Sequence, residues 1–343
     1  MIKRRAILRI AGGVAAALLV LVVAGWLAFV PSAEEPPYAF VKAWGGPGSG
    51  PGRFNDPTGI AVSGNAVFVA DSRNGRIQVF DLDGNFKRLF GRPGKALGEL
   101  GRPMNITIAG GELYVAEYFN DRVQVFALDG RPLRAIGSAG AGPGQFKAPG
   151  GVAVAPNGDL YVTDFYNHRV QHLKADGSFV GQWGTTGKTG AGAGEFIYPT
   201  DAALAADGTL YVADGYADRI QAFDGNGKFL RKWGGPLAMN IFGPFQGWFA
   251  VPTAVAIGPQ GNVFVADFYN DRVQKFTPDG TFLTAFGSKG DGPGQFGHAM
   301  SVAVAADGSV FVVDFQNNRI QKWRPPIRGD LATSATSKKQ GSQ

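Results

Sequence analysis

The stretch VADFYNDRVQKF, residues 265–276, includes two carboxylates, a pair of adjacent aromatic rings and a third at its end, an asparagine, a guanidinium, a glutamine and a lysine within twelve positions. Such residue types suit acid–base or anion-binding chemistry, and read alone the stretch would pass for an active-site loop. It does not stand alone. VADSRNGRIQVF begins at Val69, VAEYFNDRVQVF at Val115, VTDFYNHRVQHL at Val162, VADGYADRIQAF at Val212 and VVDFQNNRIQKW at Val312. Chemistry needs such a set once, whereas a structural brace is needed in every repeat. The acid and the arginine five residues on are therefore read as a turn lock: Asp71 with Arg76, Glu117 with Arg122, Asp164 with Arg169, Asp214 with Arg219, Asp267 with Arg272 and Asp314 with Arg319. Asn74, Asn120, Asn167, Asn270 and Asn317 lie between them, with Ala217 the exception, and should bond turn amides. The recurring glutamines (78, 124, 171, 221, 274, 321) are expected to bond between strands or blades.

The period of 46–53 residues between these acids marks a repeat architecture. Within the fifth unit four β-rich runs, 254–258, 263–267, 272–276 and 281–287, alternate with Gly, Asn and Asp turns. Four short antiparallel strands at this period make a propeller blade. The sixth unit has only three such runs. The missing fourth sits at the other end of the chain, because FVKAWGGPGSGPGRF (40–54) aligns in register with FLTAFGSKGDGPGQF (282–296). The expected fold is thus all-β: a six-bladed propeller of four-stranded antiparallel blades over 38–323, closed by an N-terminal strand that leaves no sheet edge open.

The repeats, YVADxxNxRVQxF followed by an outer strand and a GxGPGQF link, resemble the NHL-repeat propellers over residues 38–323. That family includes RNA-binding domains, a peptide-amidating lyase and sensor domains of membrane-anchored proteins, so the resemblance implies a fold more than a function. It also implies that the innermost strands line a central channel, with Thr58, Met104, Gly150, Thr200, Thr253 and Met300 at its mouth and Asp201 just inside. The amidating lyases place zinc-binding histidines at such positions, and this chain has none there. Its three histidines, His168, His172 and His298, are not expected to converge. With no cysteine and no nucleophile–base pair in view, the chain reads as a binding scaffold ahead of an enzyme. No cofactor is implied; calcium or zinc in the channel of a lyase or hydrolase is the alternative.

Strand alternation places the turns after the second strands and the links between blades on one face of the disk. The first residue of each turn pair (Tyr118, Phe165, Phe268, Phe315) should wedge between blades. The second (Phe119, Tyr166, Tyr216, Tyr269), with Arg73 and Gln316 completing the circle, should be exposed as a docking face for a protein, peptide or glycan. The aromatic insert 235–252 breaks the repeat and should either pack across the channel mouth or join the binding site.

The net charge of +6 belongs to the ends, since residues 38–323 carry 25 basic and 24 acidic residues. A nearly neutral body argues against nucleic acid as a partner. Residues 1–9 form a basic flank and 10–30 an uncharged run, whose 21 residues span about 31 Å as a helix. With no convincing cleavage site, 10–30 is read as an uncleaved transmembrane signal-anchor that holds the propeller outside the cytoplasm. Residues 31–37 are read as a stiff linker, and 324–343 as a disordered tail.

Overall fold

The computed structural model describes residues 13–14, 16–25 and 29–326. Six four-stranded antiparallel sheets form the propeller. The inner strands of blades I to VI are Pro57–Ser63, Pro103–Ala109, Pro149–Val154, Pro199–Leu204, Pro252–Ile257 and Ala299–Val304. Each packs beside the next, and that of blade VI packs beside that of blade I, which completes the ring.

Every second strand ends on the repeated acid and every third strand starts on the repeated arginine, and the two residues face each other in register. Closure follows the sequence reading. Ala39–Gly45 pairs antiparallel with Arg319–Arg324 as the outer strand of blade VI, with a bulge between Phe40 and Lys42. Tyr38 is buried before that strand, stacked on Phe286 at 5.0 Å.

The core lies between blades. Phe54, Ile60, Val69 and Phe80 of blade I and its link pack on Phe311, Val313 and Ile320 of blade VI. The link phenylalanines 54, 146, 196, 249 and 296 are wholly buried, with Leu100 in the sixth place. Glycine makes room for them: a Cβ on Gly137 or Gly287, both at positive φ, would overlap the ring of Phe146 or Phe296.

Two boundaries differ from the sequence reading. Residues 31–37 are not a free linker. The amides of Glu34 and Glu35 donate to Leu283 O, and Glu35 pairs with the buried Lys275 at 2.6 Å, which fastens the segment to blade V. Arg324 ends a strand opposite Ala39 and does not open the tail; residues 327–343 lie outside the described residues. The 10–30 run is described only in part. Residues 13–14 and 16–25 are helical, and among the described residues no helix is long and apolar enough to cross a membrane.

Candidate functional site

The repeated acid is the hub of a fastening. Asp267 is fully buried; its Oδ2 accepts from Asn270 Nδ2 (2.8 Å), Arg272 Nε (2.9 Å) and Gln274 Nε2 (3.0 Å), and its Oδ1 from the Ala250 amide (2.8 Å). Arg272 carries the network outward to the carbonyls of Pro244, Phe245 and Trp248. Gln274 donates to Trp248 O and accepts from Gly247 N. The same pattern recurs around Asp71, Glu117, Asp164, Asp214 and Asp314.

These partners correct the sequence reading in one respect. The network does not bond turn amides; it binds the link that enters each blade, and the asparagines donate to link carbonyls such as Gly48 O and Gly243 O. Burial pushes the carboxyls of Asp164, Asp214 and Asp267 up, and the surrounding donors oppose that push.

A second recurrent contact was not read from the sequence. The residue before each arginine adopts a left-handed backbone, and in five of the six blades its side chain reaches into the following blade's link. Asp121 Oδ1 accepts from Ala148 N (2.7 Å), His168 Nδ1 from Tyr198 N (3.2 Å) and Asp218 Oδ1 from Val251 N (2.8 Å). Asp271 Oδ1 accepts from His298 N (2.8 Å), and Asn318 Oδ1 from Asp56 N (3.0 Å). The receiving residues Asp56, Ala148, Tyr198, Val251 and His298 are themselves at φ 50–68°. Such backbone persists where surroundings over-determine it, and the latch supplies that determination. Gly75 is the one position with no side chain to latch, and Pro93 packs directly against it. The visible signal was D, H or N before five of the six arginines.

The channel-mouth residues are mostly spent on closing the inner ring. Thr58 Oγ1 donates to Pro103 O (2.8 Å), Thr200 Oγ1 to Pro252 O (2.9 Å) and Thr253 Oγ1 to Met300 O (2.7 Å), each reaching the next blade. Met300 packs into the core between blades VI and I, while Met104 is half-buried and Gly150 buried. One step deeper, Asn105 of blade II donates across the channel to Thr253 O of blade V (3.2 Å), leaving its Oδ1 buried without a partner. Asp201 is buried beside Gly151 and accepts from Val255 N (3.1 Å); burial lifts its carboxyl to about 8. A cavity of about 250 Å³ lies among the inner strands of all six blades.

The histidines serve separate sites. His168 is a latch, and burial lowers its pKa. His172 pairs with Asp159 and stacks on Tyr161; His298 lies against Phe268 and Asp271. Among the described residues no cluster of three or more His, Asp or Glu could hold a metal ion.

The aromatic face has the geometry expected of it. Phe119, Tyr166, Tyr216 and Tyr269 are 60, 41, 47 and 57% exposed, and Gln316 is exposed beside them. The first residues, Tyr118, Phe165, Phe268 and Phe315, are half-buried. Ring contacts run from Phe119 through Tyr118, Tyr166, Phe165 and Tyr198 to Tyr216, at 4.9–5.9 Å. Tyr118 donates to Tyr166 Oη at 2.7 Å, and burial together with that bond raises its pKa. Arg102 covers the rings of Tyr118 and Phe119, and Lys147 that of Tyr166. Arg73 is committed to Asp56.

Tyr198, Arg102 and Lys147 join this face without having been singled out in the sequence. They sit in the links, at or next to the residue before each inner-strand proline. The insert lies beside the face: the Asn240 amide, oriented to satisfy its neighbours, donates to Tyr216 O (2.9 Å).

Comparison with known proteins agrees with this architecture. The NHL repeat family matches residues 54–80, 146–173 and 249–276. A 37-residue stretch is 54% identical to the B-box type zinc finger protein ncl-1 of Caenorhabditis elegans, covering 10% of this chain and 4% of that protein. A structural genomics protein of unknown function from Bacteroides thetaiotaomicron superposes with a TM-score of 0.65 at 16% identity, over 84% of this chain and 76% of the other. Virginiamycin B lyase from Staphylococcus aureus superposes with a TM-score of 0.51 at 18% identity, over 80% and 85%. These structural likenesses establish the fold alone.

Proposed function

Because the chain is a six-bladed propeller carrying NHL repeats, we propose that it is a binding scaffold whose aromatic face takes a peptide segment of a partner protein. One observation carries this reading. Four exposed aromatic side chains stand in an arc over blades II to V, their rings joined by contacts from blade II to blade IV, on turns flanked by the buried carboxylate networks. Rigid aromatics with polar tips lose little entropy on binding, and Arg102 and Lys147 at the arc's edge favour a segment that carries carboxylates. A glycan, which also stacks on tyrosine, is the other outcome of the test.

In this proposal the 10–30 run anchors the scaffold, with the propeller on the extracytoplasmic side. Its support is the uncharged run behind a basic flank, together with the exposure of Val14 and of Leu18 through Val23 on the described helix.

The test is capture of a partner from the membrane fraction, followed by Tyr166→Ala, Tyr216→Ala and Tyr269→Ala together. Affinity should fall by about ten-fold or more with the melting temperature little changed. Undiminished binding by a folded triple variant would move the site elsewhere.

A channel lyase or hydrolase is the second reading, favoured by the fold shared with virginiamycin B lyase. The channel donors do not fit a resident divalent cation. They comprise one carboxyl, Asp201, one unpartnered amide oxygen, on Asn105, and the hydroxyls of Thr107 and Ser301, short of the several carboxylates such a cation takes. Stoichiometric zinc or calcium in the purified chain would reverse this ranking.

A further inference from the structure

The insert between blades IV and V exposes four apolar side chains within six residues: Leu237 (70%), Met239 (54%), Ile241 (45%) and Phe242 (72%). The corresponding links GSAGAGPGQF and GSKGDGPGQF are small or polar ahead of their buried phenylalanines, and the link between blades I and II exposes a single large apolar side chain, Leu97. This loop is held outward by design. Leu237, Ala238 and Asn240 all have positive φ, Ala238 is buried with its carbonyl accepting from Arg219 Nη1 (3.3 Å), and Asn240 is tied to Tyr216 O. Fixed backbone with outward apolar side chains is costly in water unless something covers it.

The chain itself indicates what does. Trp248, at the far end of the insert, donates from Nε1 to Phe29 O at 2.6 Å, and Pro31 packs against Gly247. Phe29, Pro31, Leu237, Phe229, Trp233 and Phe282 line one groove of about 760 Å³, with Arg231 and Lys232 also lining it. Phe29, at the described end of the 10–30 run, therefore meets the propeller at the insert. Residue 25, the last described helical residue before Phe29, lies within about 14 Å of it along the chain.

We propose that residues 237–242 and the adjoining groove seat in the surface of the lipid bilayer from which the N-terminal run emerges. Tryptophan beside apolar side chains, with cations at the edge, is the composition of a protein surface at the headgroup level. The rim of blades IV and V then faces the lipid, and the ring is held at a fixed tilt. This inference rests on the anchor reading, and the experiment separates the two.

The chain has no cysteine, so single cysteines report without background. Full-length Phe242→Cys, Leu237→Cys and, as a control on an exposed turn of blade III, Ala175→Cys would each carry an environment-sensitive fluorophore. The labelled chains would be reconstituted in phosphatidylcholine vesicles containing phosphatidylglycerol. Quenching by nitroxide-bearing lipids should be severalfold stronger at 242 and 237 than at 175, and quenching by aqueous iodide correspondingly weaker. Equal quenching at all three sites, in chains that stay with the vesicles through an alkaline wash, overturns the inference and leaves the anchor standing. Loss of the chain in that wash overturns the anchor and the inference with it. Shielding of 242 from iodide without nitroxide quenching, growing with protein concentration, would assign the loop to a second copy and also overturn the proposal.

Discussion

Asn318 of the last blade accepts the backbone N–H of Asp56, ahead of the first, at 3.0 Å across 262 positions of chain. The bond is the ring-closing copy of a latch that also joins blades II to III, III to IV, IV to V and V to VI. It acts on the link side of the disk, while the paired strands of blade VI close the ring at its outer edge.

Asn318→Gly tests the latch without straining the backbone, since glycine adopts the same left-handed conformation and Gly75 occupies that position in blade I. Removal leaves the Asp56 amide short of a partner, a loss of about 1 kcal/mol and about 2 °C in melting temperature. No shift on calorimetry would show the contact to be incidental.

The carboxylate networks should be far more sensitive. Asp267→Ala strips four donors of their acceptor and leaves Arg272 largely buried without its charge partner. A loss of about 3–5 kcal/mol is expected. Arg92 pairs with Glu99 on the surface at 78% side-chain exposure, so Arg92→Ala should change stability by less than about 0.5 kcal/mol. Chemical denaturation of the two variants, compared side by side, decides whether burial sets the difference.

Asp201 predicts a pH dependence of defined sign. Burial lifts its carboxyl from 3.8 to about 8, so the folded ring keeps a proton that the unfolded chain gives up near pH ~4. Its contribution is complete below about pH 4, declines as pH rises and is lost once pH passes about 8. Asp201→Asn can still accept from Val255 N and does not titrate. The melting temperature of the wild type should therefore fall relative to this variant across that window and level off above it. A constant difference across the window would mean that Asp201 is ionised in the folded ring.

Closure predicts two unequal truncations. Deleting 38–46 removes Tyr38 from the core and leaves the 319–324 edge unpaired, so the protein should aggregate or lose most of its stability. Ending the chain after Pro326 should leave the melting curve nearly unchanged. Matching curves for the two would rule out the closing strand as a stabilising element.

Blade number, strand order and the displaced sixth outer strand were legible because the 2.0-residue alternation and the repeated acid and arginine persist through every blade. The half-buried first and exposed second aromatics were legible for the same reason, since neighbouring turn residues point apart. Three things were not. The latch depends on left-handed backbone at Asp121, Asp218, Asp271 and Asn318, and their side chains reach a link some 27–33 residues further on, or 262 back for Asn318. Thr58, Thr200 and Thr253 looked like channel-lining hydroxyls, but a neighbouring carbonyl lies close enough to claim each one. The 31–37 segment reads as a linker by composition, and its docking shows only in contacts with blade V: the Glu34 and Glu35 amides on Leu283 O and the Glu35–Lys275 pair.

The closing strand also sets an order of events during synthesis. Ala39–Gly45 is made before every other strand of the propeller, while its partner Arg319–Arg324 follows about 270 residues later, or roughly 15–50 s at ordinary elongation rates. For that interval the early strand has no neighbour, and five completed blades would have open ends on blades I and V. If residues 31–37 dock on blade V once that blade forms, through Glu35 and Leu283, they deliver the waiting strand to the gap that blade VI must fill. The segment then serves as a tether that shortens the search for the last partner, and the ring finishes beside the place where its own first strand has been parked.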